Sequence, residues 1–202
     1  MSASNFYKKN ASHYYVFEGQ NGCKFEDFLA ELGTELEKID FEFWNNPKWW
    51  EWIGQDAFKI AVKEVYFDYR KEGITWGTLR IYVIVRYGYY WGINLDWDWE
   101  FEFSDGSICA GDDFSSSEIE EFGYYLKNEI PYWWSDEKLP IEYYLGKYIL
   151  KNCSKLYDKV MDTLDKETEE LEKVFEKLTE VYDLVTVFSN GEAVYRKIAK
   201  NG

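Results

Sequence analysis

Residues 95–103 read Leu95-Asp96-Trp97-Asp98-Trp99-Glu100-Phe101-Glu102-Phe103, so every odd-numbered member is apolar and every even-numbered one is acidic. Side chains alternate sides along a strand, and this period of two predicts a β-strand with an aromatic face toward a core and a carboxylate face away from it. Upstream, 58–103 is dense in Val, Ile, Tyr, Trp and Phe with glycines at intervals, the composition of strands and turns. It divides into a first strand over 62–70, a turn at 71–73, a second strand over 78–90, a turn at 92–94 and the alternating third. Phe58, Ala61, Val62 and Val65 also suit a helical period, which leaves the start of this segment open between helix and strand. Three strands in succession with short connections make an antiparallel meander.

Helical periods flank this meander. Over 24–39, Phe25, Phe28, Leu29, Leu32, Leu36 and Ile39 fall on one face, and Glu26, Asp27, Glu31 and Glu35 on the other. Asn46 before Pro47 has the form of an N-cap followed by proline at the first helical position, predicting a short helix over 47–53 that carries Trp49, Trp50 and Trp52. A further aromatic run at 13–17 reads as a short strand before a turn at Gly19 to Gly22. Ser117 and Glu120 stand at capping-box spacing before a helix that ends near Pro131.

From 141 to 184 there is no proline, and glycine occurs only at Gly146. Ile149, Cys153, Leu156, Val160, Leu164, Leu171, Val174, Leu178, Val181 and Val185 recur at spacings of three and four, which predicts a long helix. Glu167 takes a position where the repeat wants an apolar residue, so a helical hairpin turning near 165–170 stands beside the continuous helix. Asn190-Gly191 between two β-prone runs predicts a terminal hairpin. The fold class is α+β: an antiparallel β-meander with flanking helices, a long C-terminal helix or helical hairpin, and a terminal β-hairpin. Pro140 is the seam between an aromatic-rich part, 1–140, and 141–202, unless the two form one domain.

The chain has 202 residues and a formal net charge of −15. The charge is regional: 95–142 holds 14 acids against Lys127 and Lys138, while the stretches on either side are nearly neutral. Electrostatic capture of nucleic acid or of an anionic membrane is disfavoured, and a basic partner fits better. A single His (His13) and three scattered cysteines (Cys23, Cys109 and Cys153) leave no ordinary zinc site and no disulfide framework. A reducing, cytoplasmic setting follows as an expectation. No apolar run approaches the roughly 20 residues of a membrane helix, and 1–10 lacks the apolar core of a signal peptide.

On the predicted strand, Asp96, Asp98, Glu100 and Glu102 would stand about 6.6 to 7 Å apart, near the spacing of phosphates along a nucleic-acid strand. With Asp105, Asp112, Asp113, Glu118, Glu120 and Glu121 they form a candidate phosphate-like surface, or equally a solvated face kept polar against aggregation. The 10 Trp, 18 Tyr and 14 Phe exceed what a core of this size needs. Trp133 and Trp134 are candidate interface anchors, since adjacent tryptophans do not both face one core. Lys147, Lys151, Lys155 and Lys159, at successive i+4 positions, form a basic ridge.

Catalytic motifs are missing: there is no G-x-S-x-G, P-loop, G-x-G-x-x-G or H-E-x-x-H. The strand carboxylates point away from Trp97 and Trp99, which weakens a glycosidase reading. Asp105, Asp112 and Asp113 do not match EF-hand spacing, so no metal site and no cofactor are expected. In composition alone the chain resembles phage-encoded anti-defence proteins, including anti-CRISPR inhibitors, and this resemblance carries over no residues. It implies a non-enzymatic inhibitor that occludes the nucleic-acid site of a basic nucleic-acid-binding protein, such as a CRISPR effector or a nuclease. The alternatives are an immunity protein against a toxin nuclease, a carbohydrate-binding protein, and a homodimer joined through 141–185.

Overall fold

The computed structural model describes residues 25–46, 48–53, 57–69, 74–88, 92–129, 139–183 and 196–197. Helix α1 (Phe25–Glu37) is followed by the two-residue strands β1 (Glu42–Phe43) and β2 (Glu51–Trp52). Three long strands follow: β3 (Ala57–Tyr69), β4 (Ile74–Gly88) and β5 (Gly92–Phe103). Then come β6 (Ile108–Cys109), a 3₁₀ turn (Gly111–Asp113), α2 (Ser116–Asn128), α3 (Ile141–Val181), β7 (Tyr182–Asp183) and β8 (Arg196–Lys197). The fold is α+β: a six-stranded antiparallel sheet ordered β1-β3-β4-β5-β6, with β2 also on β3, and three α-helices among the described residues. No described helix is long and apolar enough to cross a membrane.

The expected meander is present, with shifted boundaries. Strand β3 begins at Ala57, which resolves the start of that segment as strand, and β4 begins at Ile74 rather than 78. Gly92, expected in a turn, opens β5. The short helix expected over 47–53 is instead a turn leading into β2. Asn46 Oδ1 accepts from the Lys48 amide at 3.1 Å, and the Trp49 amide bonds back to the Asn46 carbonyl at 2.9 Å. Trp50 and Trp52 are two apart, which on a helix would aim them about 200° from one another. On an extended chain they share a side, and both meet Phe58, at centroid distances of 5.9 and 3.9 Å.

Helix α2 is capped by Ser115, not Ser117: the Ser115 side chain accepts from the Glu118 amide at 3.3 Å. Ser115 and Glu118 have the same capping-box spacing as the pair two residues on. Helix α3 runs unbroken through Glu167, so the helical hairpin is not formed. Glu167 is a strong helix former whose Oε1 accepts from Lys166 Nζ at 3.2 Å, and it lies on the buried side at 9% exposure. Beyond it, β7 and β8 pair antiparallel, Tyr182 opposite Lys197 and Asp183 opposite Arg196, two residues out of the register that a two-residue turn at Asn190-Gly191 would set. The Asn190-Gly191 turn, the 13–17 run, Cys23, and Trp133 with Trp134 lie outside the described residues.

The chain forms two compact units, Met1–Lys63 with Ile81–Asp98 and Thr168–Gly202, and Glu64–Arg80 with Trp99–Glu167. In the first, Phe28, Leu32 and Leu36 of α1 and Leu171, Val174 and Leu178 of α3 are buried with Phe58, Ile60 and Ile81. Helix α1 ends in a Schellman motif. The Phe41 amide bonds to the Leu36 carbonyl at 3.0 Å and that of Asp40 to the Glu37 carbonyl at 3.2 Å, with Asp40 at φ 63°.

The second unit is built on stacked aromatic rings. Trp76 lies 5.0 Å from Phe101, Phe101 5.0 Å from Phe114, Phe103 4.6 Å from Phe122, and Phe114 stacks on Tyr157 of α3 at 5.6 Å. Phe101 and Phe103, with Trp99 against Phe114, thus point to the core as the alternation predicts, while Leu95 and Trp97 are half-buried. Helices α2 and α3 meet at two glycines. A Cβ on Gly146 would lie 2.7 Å from the Gly123 carbonyl oxygen and 2.8 Å from the Lys127 nitrogen.

Strand β4 does not keep its alternation. The Trp76 ring addresses Phe101, and so does its neighbour Gly77, whose Cβ position lies 2.3 Å from two carbons of the same ring. Two consecutive residues facing one side mark a slip of the kind a β-bulge introduces. Beyond it, Leu79 and Ile81 are buried, and Arg80 between them lies on the carboxylate face. Gly77→Ala should lower stability by about 1–3 kcal/mol, as over-packing against a buried ring and strand backbone does; a urea denaturation midpoint equal to wild type would show that the ring yields.

Candidate interaction surface

The carboxylates of β5 do not stand alone. Glu100 and Glu102 flank Arg80 of β4, whose Nη1 lies 3.7 Å from Glu100 Oε1 and is paired with Glu102 Oε2, while its Nε donates to Glu64 Oε1 of β3 at 2.7 Å. Tyr66 donates its phenolic hydroxyl to the other Glu64 oxygen at 2.5 Å. In the first unit, Arg86 donates to Asp96 Oδ2 at 2.7 Å, and Asp98 is exposed. The arginine and tyrosine donors hold the Glu64 carboxyl below the usual glutamate range, and the bond to Glu64 pushes the Tyr66 phenol up. A stripe that reads as bare carboxylate in sequence is therefore a cross-strand ladder with two arginine rungs. Sequence reasoning missed those rungs. Arg80 and Arg86 are six apart, on one side of a regular strand, and that spacing was the signal available.

A group whose pKa is lowered by folding adds stability above its unfolded pKa and loses it as pH falls through the folded one. Arg80→Met should therefore cost about 1–2 kcal/mol at pH 7, with the gap to wild type narrowing as Glu64, whose carboxyl Arg80 holds down, protonates below about pH 4.5. Urea denaturation at pH 7 and 3.5 checks this, and a gap that is constant with pH contradicts it.

The remaining acidic candidates lie on the loop after β5 and on α2. Asp105 accepts from the Ser107 amide at 2.8 Å and hydroxyl at 2.6 Å, which fixes the turn around Gly106. Asp112 and Asp113 sit exposed on the 3₁₀ turn. Burial pushes the Cys109 thiol up, and the Glu118, Asp113 and Asp105 carboxylates push it the same way. On α2, Ile119, Phe122, Gly123 and Leu126 face the core, while Ser117, Glu120, Glu121, Tyr124, Tyr125 and Asn128 are exposed. Positions 117, 120, 121, 124, 125 and 128 form one helix face, acidic toward its start and aromatic toward its end. Tyr124 and Tyr125 are 48% and 49% exposed. They were not among the sequence candidates, although each stands four residues after Glu120 and Glu121. No lysine or arginine among the described residues pairs with Asp105, Asp112, Asp113, Glu118, Glu120 or Glu121.

A cleft of about 660 Å³ lies at the end of this face. Its lining includes Ile74, Leu126, Pro140, Ile141, Leu145 and Tyr125, with Ser104, Asp105, Glu129 and Glu142 at its polar part. Among the described residues no group of His, Cys, Asp and Glu could hold a metal ion. Of the adjacent tryptophans at 49 and 50, Trp50 is buried, its Nε1 donating to the Trp44 carbonyl at 2.6 Å, while Trp49 is 63% exposed. The four lysines of the basic ridge are all exposed; Lys147 lies over the Tyr143 ring at 4.7 Å and Lys159 over Phe67 at 5.4 Å. The apolar stripe of α3 is already buried within the chain, at Leu145, Ile149, Leu156, Val160 and Leu164 in one unit and Leu171, Val174 and Leu178 in the other. No protein-family model, curated protein or solved structure matches this chain.

Proposed function

We propose that this chain is a non-enzymatic, acidic protein that binds a basic, nucleic-acid-handling protein and occludes its nucleic-acid site, in the manner of phage anti-defence proteins such as anti-CRISPR inhibitors. The observation that carries the reading is the acidity of 105–121, unpaired among the described residues, beside the exposed tyrosines of α2. Unpaired carboxylates steer a cationic groove into encounter, and exposed tyrosines anchor it at small entropic cost. The β5 stripe is less suited to the task than its sequence implies, because arginines already neutralise part of it. The partner's chemistry places the action in a cytoplasm, that of the host cell if the chain is phage-encoded. An immunity protein against a toxin nuclease would use the same surface.

The test is capture from a nuclease-treated host lysate on the immobilised full chain. The reading expects a basic nucleic-acid-binding protein that is displaced by added polynucleotide and released at high salt. Capture that polynucleotide leaves intact would sink it. A second reading rests on Trp49 and Trp52, exposed at 63% and 38%, which could stack on sugar rings. A change in tryptophan fluorescence on adding oligosaccharides would support that one instead.

A further inference from the structure

The cleft beside α2 has a lining suited to one kind of occupant. Its floor and walls are aliphatic and aromatic, from Ile74, Leu126, Ile141, Leu145 and Tyr125. Its polar groups are carboxylates, Asp105, Glu129 and Glu142, with one hydroxyl from Ser104, and no described lysine or arginine lines it. Among the described residues, none of the three carboxylates has an ion-pair partner. An anion is excluded by charge, and a purely apolar group would leave three carboxylates close to its edge. A long cationic side chain satisfies both halves, its methylene stem on the apolar floor and its head among the carboxylates. Tyr125 adds a ring face for a guanidinium.

Two residues join this cleft to the surface already described. Tyr125 lies on the exposed face of α2 and also lines the cleft, and Asp105 belongs both to the acidic loop and to the cleft. We propose that the cleft is the anchor pocket of the interface, and that it takes an arginine or lysine side chain of the basic protein partner, flanked there by an apolar residue. This rests on the functional reading above and names the group on the partner that the surface selects. Interfaces concentrate their binding energy in such central, partly desolvated pockets.

The probe is an acetylated, amidated pentapeptide, Ala-Leu-Arg-Leu-Ala by sequence, titrated into the isotopically labelled full chain and followed by backbone amide shifts. The expected result is saturable, millimolar binding with shifts centred on Ile141, Glu142, Leu145 and Glu129. The same peptide with citrulline for arginine should bind about tenfold more weakly, as should wild-type peptide to the Glu129→Gln, Glu142→Gln double variant. Equal binding of the arginine and citrulline peptides, or no shifts at these amides, would overturn the proposal even if the double variant were misfolded. The capture experiment separates the two ideas. Partner captured without a peptide response removes the cleft and leaves the functional reading standing; a peptide response without any captured partner supports the cleft as a cation-binding site and removes that reading.

Discussion

Replacing Gly146 by valine should destabilise the protein by about 3 kcal/mol, the largest effect expected of any single substitution described here. Gly146 lies within α3, where glycine costs about 1 kcal/mol relative to alanine, so local propensity argues against it. Its presence is explained by what faces it. A Cβ there would meet the Gly123 carbonyl oxygen at 2.7 Å and the Lys127 nitrogen at 2.8 Å, both backbone atoms of α2 that cannot rotate aside. Gly123 returns the constraint, since its own Cβ position lies 2.8 Å from Ile149 Cγ2. The two helices thus touch backbone to backbone, and a branched side chain can enter only by pushing α2 away from Leu145 and Ile149. Gly146→Ala should cost less, because its gain in propensity offsets part of the clash. Lys155→Val, on the exposed side of the same helix, should change stability by only a few tenths of a kcal/mol. Urea denaturation of the three variants checks the order; a loss below about 1 kcal/mol for Gly146→Val would mean that the helices do not pack this closely.

The second large effect separates two sets of carboxylates that look alike in sequence. Neutralising Asp112, Asp113, Glu120 and Glu121 to Asn and Gln should reduce partner capture at low salt by at least tenfold and leave stability within about 0.5 kcal/mol, because these side chains are exposed and make no ion pair with another described residue. Neutralising Glu100 and Glu102 should do the reverse. It removes two of the three acceptors around Arg80, and it should lower stability by about 1 kcal/mol while capture persists. The two quantities are measured on the same samples, by the salt at which the captured protein elutes and by the denaturation midpoint. Loss of capture from the Glu100 and Glu102 pair alone would return the binding role to the strand.

Much of this architecture is legible in the sequence because it rests on local periods. The alternation of 95–103 fixes which side of β5 carries Phe101 and Phe103, and the spacing of Phe28, Leu32 and Leu36 fixes the buried side of α1. The misreadings have a shared cause, which is that a long-range partner decided between two local signals. Asn46 and Pro47 signal a helix start as well as they signal a turn, and Phe58 on the neighbouring strand draws Trp50 and Trp52 into an extended segment. Glu167 interrupts an apolar repeat, yet the helix passes through it, since nothing there removes a backbone hydrogen bond. For the surface, the acids were visible and their state was not. Whether a carboxylate is free depends on the strand beside it, and the placing of Arg80 between Glu64, Glu100 and Glu102 is decided by strand register, which the period of a single strand does not encode.

The sheet has one property that bears on how copies of this molecule coexist in a crowded solution. Strands β3 and β5 are 13 and 12 residues long, but the strands on their outer sides, β1, β2 and β6, have two residues each. Among the described residues, the outer backbones of 64–69 and 92–100 thus have no strand beside them, and such a row of amides and carbonyls can template another chain. What opposes that templating is mutual repulsion, because two molecules of net charge −15 must approach within a Debye length of about 8 Å before their edges can align. The carboxylates proposed to meet a cationic partner therefore also oppose the approach of a second copy.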